Sequence, residues 1–257
     1  MSDDFDAPLT WRAYSDFARA VTRERRYVWT QKVRQFLEIV KTTAESRAKQ
    51  LPKGATVYRA QKGIDEDEDE AAGRIYLSGY GAERMLPRRD RATEGRANPL
   101  GIPVLYVATQ PITAISEVRP WVGAQVSLAT LQTTRPLKVV NLSDGEGKRA
   151  MKLSYLFGEL TPEEALKATW AFIDEAFSRP VSREDADVAL YAPTQILAEL
   201  FREAGFDGVS YRSQFGDAGN NIAFFDMSAV KIVSCAPFEI QSVKIETAQI
   251  DSAWYRK

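Results

Sequence analysis

The chain of 257 residues contains no histidine and one cysteine, Cys235. The absence of histidine excludes a Ser-His-Asp triad and a Cys-His pair. It also excludes a zinc site built from histidine and cysteine, because such sites need several of these ligands. Cys235 cannot form an internal disulfide, which is typical of proteins in a reducing compartment. Any catalysis must therefore come from carboxylates, Arg, Lys, Ser, Thr and Tyr.

Long apolar runs are also absent, and no segment reaches the roughly 18 residues expected of a membrane span. The N-terminal stretch MSDDFDAPLTW is acidic and lacks the apolar centre of a secretory signal. The net charge is −1, without the basic surplus typical of nucleic-acid-binding proteins. Carboxylates alone can hold Mg²⁺ or Ca²⁺, but no EF-hand spacing occurs. We predict a cytoplasmic protein with no metal, no membrane contact and no direct nucleic-acid contact.

The first fifty residues are predicted to be helical. Thr10 is a candidate cap for WRAYSDFARAV. The second stretch, VWTQKVRQFLEIVKTTAESRAKQ, places four apolar side chains on one helix face: Val33, Phe36, Leu37 and Val40. Such a stripe either packs on the protein's own core or forms a surface for a partner. The turn sequence LPKG follows and ends this segment.

The remainder mixes strands and helices. Predicted strands are ATVYRA, GIPVLYVA, two within VSLATLQTTRPLKVVNLSD, FDGVSYRS, IAFFD, AVKIV and SVKIE. TPEEALKATWAFIDEAFSRP is predicted to be a helix with a capping box from Thr161 to Glu164. PTQILAELFREAG is a second helix, with Gly205 just past its end. Strands outnumber strand–helix–strand units, which favours an α+β fold with a mixed sheet.

Two charged stretches interrupt this pattern. Six consecutive acids run from Asp65 to Glu70, and five arginines fall between Arg84 and Arg96. A block of like charges is usually a solvated loop, which we predict for the acidic run. The arginine-rich stretch is also predicted to be a loop, with phosphate binding as an alternative.

The stretch LYVATQPITAISEVRPW presents one carboxylate, Glu117. Pro111 begins a short helix at its first position and Pro120 stops it. The apolar positions of this helix are predicted to share its buried face; they are Ile112, Ile115 and Val118. Glu117 lies roughly opposite that face and therefore points to solvent or into a cleft.

Three blocks of the chain resemble one family. They are VYRA with Arg59, GRANPLGIPVLYVATQPITAISEVRP with Glu117, and YAPTQILAELFREAGFDGVSYRS with Ser213. Together they resemble the RES domain family, which is named for an Arg, a Glu and a Ser in that order. The resemblance implies an ADP-ribosyltransferase-like mixed sheet core with flanking helices, here preceded by an N-terminal helical segment. We predict a helical appendage over 1–50, a RES-like catalytic domain over 51–240 and a C-terminal strand and tail over 241–257.

The resemblance also implies a function. RES domain proteins are toxins of bacterial toxin–antitoxin pairs that consume NAD⁺ by cleaving its nicotinamide–ribose bond. We therefore expect a toxin or a defence effector with glycohydrolase or phosphorylase activity, NAD⁺ as its substrate and an antitoxin protein as a possible partner. Transfer of ADP-ribose to a specific protein or nucleotide is one alternative, and a non-catalytic interaction module is another. The sequence does not decide whether the protein forms a homodimer.

The candidate site residues follow from the family blocks and from the chemistry of NAD⁺. Glu117 is expected to stabilise positive charge on the ribose ring, and Arg59 to bind the pyrophosphate, with Arg96 as a second candidate. Tyr106 is the candidate for stacking on nicotinamide or its ribose. Ser213 is expected to hydrogen-bond the substrate or orient Glu117. No GxGxxG fingerprint follows a strand, which argues against a dehydrogenase.

Overall fold

The computed structural model describes residues 9–69, 73–143, 160–179, 188–215 and 219–249. The strands are β1 Ala48–Leu51, β2 Thr56–Lys62, β3 Asp65–Asp69, β4 Arg74–Ser78, β5 Leu105–Ala108, β6 Gln125–Thr133, β7 Leu137–Asn141, β8 Gly208–Arg212, β9 Asn220–Phe224 and β10 Val230–Glu239. The helices are α1 Ala13–Arg19, α2 Gln31–Thr43, α3 Ala82–Met85, α4 Pro111–Glu117, α5 Pro162–Ser178 and α6 Ala192–Glu203.

Eight strands form a mixed sheet in the order β1-β7-β8-β9-β5-β2-β6-β10. Strands β7 and β8 are parallel, and the other neighbouring pairs are antiparallel. The connection from β7 to β8 contains α5 and α6, as a parallel crossover requires a long connection. The predicted α+β class, with a mixed sheet, flanking helices and a preceding helical segment, is confirmed.

The sheet is covered on both faces, and its central strands β5 and β9 are mostly buried along their length. Side chains alternate across the sheet, so Ala223 packs in one core while Ile222 and Phe224 pack in the other. The first core lies under the helices and contains Trp170, Phe177, Leu197 and Phe201. The second contains Leu105, Val107, Leu131, Leu137 and Met85.

The N-terminal helices pack on the first of these cores. Thr30 caps α2 by accepting a hydrogen bond from the backbone N–H of Val33. The apolar stripe of α2 is buried, and Phe36 stacks on Phe17 of α1 with ring centroids 4.6 Å apart. Because the stripe belongs to the core, it is not a free surface for a partner. Thr10 provides no side-chain cap for α1.

Helix α2 ends earlier than its sequence pattern predicts. It stops at Thr43, a short 3₁₀ turn covers Ala44–Arg47, and Ala48–Leu51 form β1. The helix assigned to residues 48–50 was therefore wrong. Strand β1 pairs antiparallel with β7 over four residues, and this contact between distant segments overrides the local helical preference.

The helix signals of the second half are confirmed. Thr161 accepts a hydrogen bond from the Glu164 N–H, and the Glu164 carboxylate accepts one from the Thr161 N–H. Gly205 follows α6 with φ +85°, the left-handed conformation that favours glycine at this position. Among the described helices, none is both long and apolar enough to cross a membrane.

The acidic run differs from the prediction. Residues Asp65–Asp69 form β3, which pairs antiparallel with β4 in a separate two-stranded sheet. Its carboxylates face solvent or pair locally: Asp67 accepts a hydrogen bond from Ser78 at 2.6 Å, and Asp65 lies 3.6 Å from Arg84. The loop prediction was wrong because the neighbouring RIYLS segment supplies a strand partner. Glu70 lies outside the described residues.

At the C-terminal end, the predicted strand AVKIV is confirmed as the start of a longer strand, and the predicted strand SVKIE is wrong. A single strand, β10, runs from Val230 to Glu239 and pairs with β6, with a register shift between Ile232 and Ser234. The segment SVKIE, residues 242–246, is outside any strand. Pairing between β6 and β10 ends where Glu239 lies opposite Gln125, the first residue of β6. SVKIE comes after this point and therefore has no partner on β6.

Candidate functional site

The site lies where two neighbouring strands of the sheet separate. Strand β2 pairs with β6 along its whole length, Thr56–Lys62, but with β5 at one position only, Tyr58 opposite Ala108. Beyond that position the guanidinium of Arg59 enters the gap, and its Nη1 donates to the backbone oxygen of Tyr106 at 2.8 Å. A side chain thus occupies the place of a missing ladder hydrogen bond.

A cleft of about 820 Å³ opens at this gap. This volume lies within the range of roughly 300–1,000 Å³ that is typical of ligand-binding pockets. Its charged lining consists of three cations and one carboxylate, namely Arg59, Lys62, Arg119 and Glu117. The remaining lining residues include Tyr58, Tyr106, Tyr211 and Asn221. An anionic ligand with one cationic end would match this charge pattern.

Helix α4 brings Glu117 to the cleft. Pro111 stands at the first helical position, and buried Thr113 and Ala114 fix the helix against the sheet. Arg119 has φ 47°, a left-handed conformation that ends the helix before Pro120. The predicted buried face was wrong at Ile112, which is 63% exposed. Ala114, Ile115 and Val118 form the packed face instead.

The Glu117 side chain is exposed and held by two neutral donors. Ser213 Oγ donates to Glu117 Oε1 at 2.7 Å, and Asn221 Nδ2 donates to the same oxygen at 2.6 Å. The carboxylate stands at the C-terminus of its helix, where the macrodipole disfavours negative charge by about 0.3–1 kcal/mol. The two donors offset this cost without supplying a positive charge.

Arg59 is half-buried, and burial lowers the pKa of its guanidinium to about 10. It therefore keeps its charge at neutral pH. Its buried Nε has no hydrogen-bond partner among the described residues. An unpartnered charged donor inside a protein is costly. The Arg59 guanidinium also lines the cleft, where its charge suits an anionic ligand.

Tyr106 contributes its ring to the cleft, while its hydroxyl is engaged elsewhere. The hydroxyl donates to Asn98 Oδ1 at 2.7 Å and accepts from the Ala97 N–H at 2.9 Å. Burial raises the pKa of this phenol above its ordinary value, so it stays neutral. Gly95 is required here, because a Cβ would lie 2.5 Å from the Tyr106 hydroxyl. Tyr106 thus anchors the Gly95–Asn98 loop beside the cleft.

Ser213 and Arg96 have different positions relative to the cleft. Ser213 follows β8 and reaches the site through its hydrogen bond to Glu117. Its Oγ also accepts from the Phe215 N–H at 3.1 Å, which fits an orienting role. Arg96 does not line the cleft, because its Nη1 donates to the backbone oxygen of Phe177. The structure therefore brings together Arg59, Tyr106, Glu117 and Ser213, and leaves Arg96 apart.

Three residues of the site were not predicted from the sequence. Asn221 is the second residue of β9, Lys62 ends β2, and Arg119 follows the Glu117 helix. The two cations stack on aromatic rings at the rim: Lys62 Nζ is 5.2 Å from the Trp121 centroid, and the Arg119 guanidinium carbon is 4.9 Å from that of Phe215. Proximity of Arg119 to Glu117 in sequence was the one clue available.

A crystal structure of the M. tuberculosis MbcT–MbcA toxin–antitoxin complex is similar to this chain at 18% identity, with a TM-score of 0.39. The similarity covers 78% of this chain and 92% of that one. Comparison with curated proteins gave no match. The sequence model of the RES domain family matches residues 73–245 of the chain. The matched residues include Tyr106, Glu117 and Ser213 and begin after Arg59. Because the match spans more than half of the chain, the chain belongs to the RES domain family.

Proposed function

We propose that the protein is an NAD⁺-consuming toxin that cleaves the nicotinamide–ribose bond, with water or phosphate as acceptor. The observation that carries this proposal is the Glu117 carboxylate at the wall of a cleft that also presents Arg59, Lys62 and Arg119. NAD⁺ has the complementary pattern, since a cationic nicotinamide ribosyl group is joined to an anionic diphosphate. Membership of the RES domain family supports the same substrate.

The chemistry suits a site without histidine. When the bond between ribose C1′ and the nicotinamide nitrogen breaks, the electron pair leaves with nicotinamide and neutralises its charge. This leaving group needs no proton from a general acid. Positive charge develops on the ribose ring, and a facing carboxylate stabilises it, as in glycoside hydrolysis. The acceptor oxygen then bonds to C1′ and releases its proton to solvent.

The cations of the cleft are assigned to the diphosphate. The guanidinium of Arg59 lines the cleft in a half-buried position and provides charge-assisted donors. Lys62 and Arg119 stand at the rim, where each already rests on an aromatic ring. Tyr106 also lines the cleft, and its ring is the candidate surface for nicotinamide or its ribose.

The experiment that tests the function measures NAD⁺ loss and nicotinamide release, with and without phosphate. The wild-type protein is compared with Glu117→Gln, which keeps the shape of the side chain and removes its charge. We expect release by the wild type and a loss of about 10²–10³-fold in kcat in the variant. Glu163→Gln is the matched control, because Glu163 is an exposed residue of α5 outside the cleft.

Two outcomes would contradict the proposal. Equal rates for wild type and Glu117→Gln, with both folded, would remove Glu117 from the mechanism. No nicotinamide release by the wild type under either condition would remove the activity itself. A mass gain corresponding to ADP-ribose on an added protein or nucleotide would identify the acceptor as a macromolecule in place of water or phosphate.

The partners are part of the same proposal. A toxic enzyme requires a neutralising protein, and family membership supports an antitoxin in that role. The alternative of a non-catalytic interaction module depended on the apolar stripe of α2 as a working surface. That stripe is buried in the core, so this alternative has lost its supporting feature.

A further inference from the structure

The two residues that donate hydrogen bonds to Glu117 lie in different kinds of structure, one in a central strand and one in a loop. Asn221 belongs to β9, where it is paired with Ala108 of β5 and Tyr211 of β8, and it is only 7% exposed. Ser213 lies in the segment that follows β8, beyond its last paired residue. A central strand restricts a side chain more than a loop does. Asn221 is therefore the better-fixed of the two donors.

The chemistry of the contact is specific. An ionised carboxylate only accepts hydrogen bonds, so the asparagine must present its Nδ2 donor to Glu117. Both donors meet Oε1, and in the described part of the chain Oε2 accepts no hydrogen bond. A neutral amide holds one oxygen in place without adding a positive charge beside the carboxylate. A lysine or arginine at this position would neutralise that charge.

We propose that Asn221 is a positioning residue that fixes the Glu117 carboxylate through Oε1 and leaves Oε2 free for the ribose of the substrate. The role of Oε2 rests on the proposed function, whereas the Asn221–Glu117 contact does not. Asn221 touches neither bond that breaks nor the acceptor, and it acts through Glu117. The orientation of one oxygen matters because a misplacement of about 1 Å in an active site lowers rates by roughly 100-fold.

The charged and titratable groups around Glu117 simplify the test. Strands β6 and β9, which pack near α4, contain none. Strands β2, β5 and β8 and the segment after α4 contribute cations and phenols to the cleft: Arg59, Lys62, Arg119, Tyr58, Tyr106 and Tyr211. Arg212 of β8 is paired with the Asp174 carboxylate of α5, and neither residue lines the cleft. Burial raises the pKa of the Tyr106 and Tyr211 phenols. A second carboxylate placed beside Glu117 would therefore compete with it alone for protons in the acidic range.

The test compares Asn221→Ala with Asn221→Asp. In Asn221→Ala we expect kcat to fall by about 10–100-fold with KM nearly unchanged, because the carboxylate is no longer oriented. In Asn221→Asp two adjacent carboxylates share a proton, so the acid limb of the pH–kcat profile should also move to higher pH by about one unit or more. A residue with a purely structural role would not shift this limb.

Asn220→Asp is the matched control. It makes the same substitution one residue earlier on β9, where the Asn220 side chain donates to Ser143 Oγ at 3.0 Å instead of contacting Glu117. Its pH profile should match that of the wild type. Circular dichroism and urea midpoints establish that each variant is folded. If Asn221→Asp does not fold, Asn221→Ser, which stays neutral but is too short to reach Oε1, replaces it in the kcat comparison.

A second measurement does not depend on NAD⁺ cleavage. The side-chain amide NMR signals of Asn221 should move during acid titration of the wild type, because protonation of the carboxylate weakens the hydrogen bond. The same signals should stay fixed in Glu117→Gln. An active wild type with kcat of Asn221→Ala within twofold overturns the positioning role. Amide signals that do not titrate in the wild type overturn the contact itself, whether or not the protein cleaves NAD⁺.

Discussion

At the residue scale, Tyr106 shows how one side chain can serve two purposes. Its ring forms part of the cleft wall, and its hydroxyl holds the Gly95–Asn98 loop. Asn98 is 2% exposed, and its two-hydrogen Nδ2 donor lies within hydrogen-bond distance of three backbone oxygens of the loop region, those of Thr93, Pro99 and Ile102. The hydroxyl thus completes a buried polar network, in which each missing partner is costly.

We predict that Tyr106→Phe destabilises the protein by about 1–3 kcal/mol, because it leaves Asn98 Oδ1 and the Ala97 N–H without partners. Urea unfolding followed by fluorescence measures this change. Tyr58→Phe is the control, since the Tyr58 hydroxyl makes no hydrogen bond within the described residues. Similar free energies of unfolding for the two variants would show that the Tyr106 network contributes little.

At the scale of the element, α2 determines whether the N-terminal segment belongs to the folded unit. Its buried residues share one core with Trp170, Phe177, Leu197 and Phe201 of α5 and α6. The strand that follows, β1, completes one edge of the main sheet. Removal of residues 2–50 would expose this core and take away most of β1, so we expect the remainder to aggregate.

The substitution Val40→Asp tests this element without a deletion. Val40 is 0% exposed, and an unpaired charge in the core should cost about 3 kcal/mol or more. For a chain of this size the melting temperature should fall by about 6–12 °C. Arg34→Asp, at an exposed position of the same helix, should change it by at most about 2 °C. Equal shifts would mean that the stripe does not contribute to the core.

At the scale of the whole molecule, charge is distributed unevenly. The chain has a net charge of −1, yet the cleft presents three cations and one carboxylate. The acids of β3 are gathered on a separate hairpin, where Glu66, Asp67 and Glu68 face solvent. This separation lets an overall acidic protein attract an anionic substrate to one place, because concave sites concentrate the local field.

The double variant Lys62→Gln, Arg119→Gln tests this assignment with two substrates. We expect kcat/KM for NAD⁺ to fall by about 10–100-fold. One charge-assisted hydrogen bond contributes roughly 1.5–3 kcal/mol, and because Lys62 and Arg119 are exposed, solvent screening limits the two together to about that amount. Nicotinamide riboside lacks the diphosphate, so its kcat/KM should change by at most about twofold. Lys244→Gln removes an exposed cation outside the cleft and is the control. Equal losses with both substrates would assign these cations another role.

Local signals account for the parts of the fold that were predicted correctly. Pro111 and Pro120 delimit the Glu117 helix, and Thr161 with Glu164 marks the start of α5. These features act within a few residues, so they survive in any fold that contains the segment. The loop prediction for the acidic run was wrong because its structure depends on a distant segment. Its strand depends on pairing with Arg74–Ser78, and a charge pattern alone does not contain that pairing.

From the order of residues alone follow the excluded kinds of catalysis, the identity of most helices and strands, and the resemblance of three blocks to the RES domain family. Which side chains meet is set by the folded chain. Asn221 and Ser213 reach Glu117 across 104 and 96 residues of chain, and Arg96 turns away to Phe177. The physical reason is that the strand order β8-β9-β5-β2 sets these contacts, and strand order arises from long-range packing that no local pattern encodes.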